Sequence, residues 1–196
     1  MNIAQIIPNE TPVDITKFAN EIGINVSYAT FTEELKDKCR GRFEKGNDRI
    51  GIIINKDDPP NIQRLTIARL IAYNFINSKT IGDNAVIADM YPSAKLRNEQ
   101  KVMDMALCII MPELALRYAI RNVPKMNNPE SVATHFKVPV YAANRRIDLT
   151  PERVENLIAG KEKDEPRSIY RETRIKARTR IRPATALDPL FSIPAH

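Results

Sequence analysis

The sequence predicts an α+β domain with a basic extension, and three observations predict it. One run, IGIIIN at residues 50–55, is β-branched and apolar, the composition of a buried strand. Longer segments repeat apolar residues at i, i+3, i+4 and i+7, the period of helices that pack by one face. A late stretch, residues 173–182, alternates strictly between cations and small or β-branched residues, which is the period of a strand.

The elements follow in order. A first helix is expected from Pro12 to about Ile22, with Gly23 as its stop. INVSYATF, residues 24–31, alternates loosely and reads as a strand. The polar stretch that follows fits a short helix, a hairpin arm or a loop. After IGIIIN, the segment KDDPPN at residues 56–61 is a turn, because two prolines cannot continue a central strand. A helix over residues 61–77 is apolar on nearly every side and is therefore central and buried. SKTIGDNAVIADMYPS reads as a connection. A second long helix is expected over residues 94–110, with the stripe Val102, Met105, Ala106, Ile109. Pro112 opens another helix at a first-turn position. Residues 128–147 read as two short helices with helix-turn-helix spacing, and Thr150-Pro151-Glu152 starts a last one ending at Gly160.

The chain of 196 residues suits one domain, or one domain with an appendage, and can bury a real core. Two units are expected, a domain over residues 1–160 and an extension over 161–196. Net charge is +6 but uneven: from Lys161 to Arg182 there are nine Lys/Arg against four Asp/Glu, so the body is nearly neutral. Anything anionic is met by the tail. No apolar run reaches the roughly 18 residues of a membrane span. The start, MNIAQIIPNETPVD, lacks the pattern of a signal peptide, and the two cysteines, Cys39 and Cys108, fit reduced thiols most simply, although two cysteines can also pair. A cytoplasmic protein is the expectation.

Three segments carry a resemblance: RLTIARLIAYNFIN, then EQKVMDMALCIIMP, then VATHFKVPVYAANRRI. Their order and spacing, over roughly residues 48–147, resemble the ImmA/IrrE family of zinc-dependent peptidases, often encoded by mobile genetic elements. That family typically shows R-x-T-x-A-H-E-x-x-H, then E-x-x-A-x-x-F-A-x-x-L-L-M-P, then A-x-x-F-x-V-S-x-x-A-x-x-R-L. The resemblance implies a zincin-like scaffold with two histidines on a helix binding zinc and a glutamate as general base. Here the histidine positions hold Arg69 and Tyr73, and the glutamate position holds Leu70. The family's third ligand, a carboxylate on the later helix, falls on Glu99. The two histidines present, His135 and His196, have no ligand at helical spacing. No catalytic residue, metal ligand or cofactor is therefore assigned.

One reading puts Arg69 against Glu99 across the former metal position, with the Tyr73 hydroxyl joining them, since each buried charge needs the other. The other reading leaves both as surface charges. In the helix-turn-helix-like segment, Arg145 and Arg146 are candidates for an anionic partner or DNA. The same segment can equally pack two small helices onto the body. In the tail, Arg174, Lys176, Arg178, Arg180 and Arg182 share one strand face. They suit nucleic-acid phosphates, an acidic protein surface, or the sheet edge of a second copy in an oligomer, unless the tail is simply solvated.

The leading expectation is a non-catalytic regulator, from a phage or similar element, that binds a partner such as a helix-turn-helix repressor. The resemblance implies that active relatives cut such repressors. The alternatives are a direct DNA-binding protein using the basic strand, and an active zinc peptidase with an unconventional site.

Overall fold

The structure is a computed structural model, and it describes residues 11–37, 39–46, 50–78, 85–90, 99–126 and 128–149. The helix expected at residue 150 onward and the basic strand over 173–182 lie outside the described residues.

The fold is α+β. Helix α1, Ile15–Glu21, begins where the Asp14 carboxylate accepts from the Lys17 backbone N–H at 3.0 Å. It ends at Gly23, whose φ of 80° only glycine adopts cheaply. Strand β1, Ile24–Ala29, precedes a short helix α2, Glu33–Lys36. Strand β2, Cys39–Lys45, then pairs antiparallel with β3, Ile50–Asn55, from Gly41 opposite Ile54 to Lys45 opposite Ile50. Of the three options open for this polar stretch, the hairpin arm is realised beside the short helix.

Among the described residues the strands form one sheet in the order β1-β3-β2-β4. Strand β4, Ala85–Met90, pairs antiparallel with β2 and lies inside the segment expected to be a connection. That expectation is corrected: AVIADM is too short and too closely flanked by turn residues for its apolar character to stand out. β1 runs parallel to β3 at the opposite edge.

Helix α3, Pro60–Asn77, opens on proline, whose missing N–H costs nothing in the first turn. The Gln63 amide closes the preceding turn by donating to the carbonyls of Asn55, Lys56 and Asp58. α3 contacts β2, β3 and β4 as well as helix α4, Glu99–Ile110. Leu65, Ile67, Ala68, Leu70, Ile71 and Ala72 are all buried, so α3 is the central helix of the core. Gly41 makes this packing possible. A Cβ there would lie 2.8 Å from Thr66 Cγ2 and 2.9 Å from Ile54 Cδ1.

Helix α5, Glu113–Asn122, follows Pro112, and α6, Pro129–Phe136, is capped by Asn128 accepting from Ser131 N–H at 2.8 Å. Lys137 turns the chain at φ 54° into α7, Val140–Ile147. The two short helices expected over 128–147 are therefore present. Phe136, Val138 and Ala142 pack them into the common core. Cys39 and Cys108 are buried thiols that are not joined in a disulfide. No helix among the described residues is long and apolar enough to cross a membrane.

Candidate functional site

Two helices bring the first pair of charges together. Arg69 sits in the third turn of α3, between buried Ala68 and Leu70, and Glu99 sits in the first turn of α4. Arg69 Nη2 donates to Glu99 Oε1 at 3.3 Å, with the side chains 12% and 31% exposed. The pair spans the α3–α4 seam, screened from water on the arginine side and open on the carboxylate side. A helix N-terminus is also a favourable place for the Glu99 charge. The Tyr73 hydroxyl, expected to join this pair, makes no hydrogen bond to either member among the described residues. Tyr73 is half-buried and packs against the core instead.

A zinc ion does not fit these residues. A guanidinium stays protonated and offers no lone pair, and leucine offers no donor at all. Glu99, the remaining carboxylate, already accepts from Arg69. Among the described residues no group of three His, Cys, Asp or Glu side chains is placed to hold a metal. His135 lies on α6, edge-on to Phe136 with ring centroids 5.0 Å apart.

The order of elements around this seam has a counterpart among known families. A family model described as an IrrE N-terminal-like domain, of the M78 peptidases, matches residues 19–148. The chain belongs to the M78 peptidase family. No curated protein matches it. The matched residues run from the end of α1 through α7, so the sheet, α3, α4 and the small helices of this M78 chain all belong to the family domain.

The family domain holds a second cluster that the sequence did not reveal. Asp104 on α4 is fully buried and accepts from Arg145 Nε at 2.6 Å. Arg146 is 1% exposed, its Nε donating to the Met111 carbonyl at 3.0 Å and its Nη2 to Glu113 Oε2 at 2.7 Å. Arg117 Nε donates to the other Glu113 oxygen at 2.6 Å. Burial alone would raise the Glu113 carboxyl, but the hydrogen bonds from Arg146 and Arg117 outweigh it and hold the group below the ordinary carboxylate value. Arg146 is thus removed from the candidates for an anionic partner. Its guanidinium lies in the protein interior, where no phosphate reaches it. Arg145 also points its Nε inward, with a third of its side chain still exposed. These arginines fasten α7 to α4 and α5. The apolar positions of α4 and its Glu99 were legible in the sequence, but a buried aspartate such as Asp104 has no periodic signature.

Arg64, the arginine of the family's first motif, donates from Nη2 to the Val13 carbonyl at 2.8 Å. It ties α3 to the segment before α1, and burial lowers its affinity for the proton. Arg174, Lys176, Arg178, Arg180 and Arg182 lie outside the described residues.

Proposed function

We propose that this M78 family member is a zincin-like pseudo-peptidase that holds a protein partner without cutting it. The single observation behind this reading is the Arg69–Glu99 pair at 3.3 Å, standing where the family motif would place a histidine and a carboxylate around zinc. A fixed cation takes the place of a bound one, and buried Leu70 replaces the general base. The scaffold is kept while the chemistry that needs a lone pair is lost. In that case its remaining use is recognition. The partner we favour is a helix-turn-helix repressor, and the setting a phage or other mobile element, because active relatives act on such repressors.

The test has two parts. Purified protein, equilibrated with zinc and desalted, is assayed for metal content, and well below one zinc per chain is expected. Helix-turn-helix repressors of the same genome are then mixed with it, and any complex is examined by intact mass. An unbroken repressor in a stable complex supports the reading. Stoichiometric zinc together with a cleaved repressor would overturn it.

A second reading rests on the strict sequence alternation over residues 173–182, a pattern that would put five cations on one face of a strand. On that reading the protein binds duplex DNA directly through its tail.

A further inference from the structure

We propose that the outer face of α5 is a docking surface for an acidic amphipathic helix of a partner protein. This rests on the reading that the chain is a partner-binding member of its family, and it names the surface and the chemistry of that partner.

The face is built from Leu114, Arg117, Tyr118 and Arg121, spaced i, i+3, i+4 and i+7, which places them in one stripe. All four are exposed, Leu114 by 71% and Tyr118 by 66%. α5 does not need them for its own packing, because Ala115, Leu116 and Ala119 bury the opposite side. Among the described residues, the exposed large apolar side chains fall on α5 and α7 with the single exception of Tyr28. Tyrosine and arginine around an apolar knob are the residue types that dominate protein interfaces.

Charge decides the kind of partner. The one carboxylate on the helix, Glu113, is shared by Arg117 at 2.6 Å and Arg146 at 2.7 Å. The Glu113 charge is balanced by buried Arg146 beneath the helix, so the exposed Arg117 and Arg121 leave the outer face of α5 with an excess of positive charge. An acidic partner satisfies that excess. A second copy of this chain does not, since a two-fold contact would set the same positive face against itself. A nucleic-acid backbone would match the charge but not the Leu114 and Tyr118 side chains. The stripe is about 11 Å long, so it takes about two turns of a partner helix.

The experiment uses the full chain and fluorescence anisotropy. The probe is a labelled amphipathic peptide of about 18 residues, long enough to form helix, with leucine on one face and glutamate on its flanks. A twin carries lysine in place of glutamate. The variants are Tyr118→Ala and Arg121→Glu, both at exposed positions where stability should hold, with unchanged melting confirmed first. The expected result is binding of the acidic peptide, with the lysine twin and each variant weaker by about tenfold or more. Equal binding of the twins, no binding of the acidic peptide, or variants that bind like the parent would overturn the proposal. So would a DNA duplex whose binding needs Tyr118 and Arg121, or a dimer in sedimentation that Tyr118→Ala abolishes. Arg69→Ala serves as a control. Peptide binding lost there but kept in the α5 variants moves the partner to the α3–α4 seam, overturning this surface while sparing the pseudo-peptidase reading. Repressor cleavage with bound zinc would sink that reading and leave the α5 measurement intact.

Discussion

At the scale of single residues, the contact between Arg69 and Glu99 is what the proposed pseudo-peptidase reading rests on. An arginine that is mostly buried must meet an acceptor, and a carboxylate across the helix seam supplies one. Glu99→Ala removes that acceptor and should cost about 1–2 kcal/mol, seen as a lower midpoint in urea. Glu99→Gln, which keeps an acceptor oxygen, should cost less. Equal stability of Glu99→Ala and the parent would show the pair to be a surface contact. Glu113 gives a second expectation, through pH. Its carboxyl is held below its unfolded value, so its contribution to stability is complete above the unfolded value of 4.5 and is lost as pH falls through the lower folded one. Glu113→Gln should therefore flatten the acid side of a stability–pH curve while lowering stability at neutral pH. Parallel curves for parent and variant would contradict this. Arg146 shows why residue-level function was only partly legible. A charged side chain in a polar-looking stretch reads as exposed, and nothing local signals that Met111 and Glu113 wait for it inside the fold.

Among the elements, legibility followed contrast. IGIIIN stood out because its β-branched run is bounded by turn residues, and α3 stood out because it is apolar all round. β2 alternates too, with Cys39, Gly41 and Phe43 buried, but its charged partners Arg40, Arg42 and Glu44 left a hairpin arm, a short helix and a loop equally open for it. Gly41 carries the packing consequence. It lets β2 pass close over Thr66, one turn before Arg69, so it helps set where the α3 face lies. Gly41→Val should cost about 1–3 kcal/mol by overpacking, because Thr66 is stiff at its branched Cβ and the Ile53 carbonyl is only 3.1 Å from the new carbon. Thermal denaturation of Gly41→Val beside Gly51→Val checks this, since Gly51 has only one backbone atom at 4.0 Å and should tolerate the change better on that count. Equal losses at both positions would mean that strand propensity, not the approach to α3, governs Gly41.

For the whole molecule, the question is where anionic partners are met. The family domain uses much of its positive charge internally: Arg69, Arg117, Arg145 and Arg146 each face a carboxylate. Residues 167–196 carry seven Lys/Arg against two Asp/Glu, so without them the net charge falls from +6 to +1. Duplex DNA affinity, if the full chain has it, should therefore reside in the tail and not in the helix-turn-helix-like pair, whose arginines are turned inward. The measurement is anisotropy of a labelled duplex across a salt series. It compares the full chain with a variant carrying glutamine at Arg174, Lys176, Arg178, Arg180 and Arg182. Five phosphate contacts imply a slope of log affinity against log salt of about −4.5. The glutamine variant should lose both the affinity and the slope while melting like the parent. A parent that binds steeply alongside a variant that binds just as steeply would return the contacts to the body. Absence of binding by either form would turn the alternating cations of the tail toward an acidic protein surface, the same kind of surface proposed for α5.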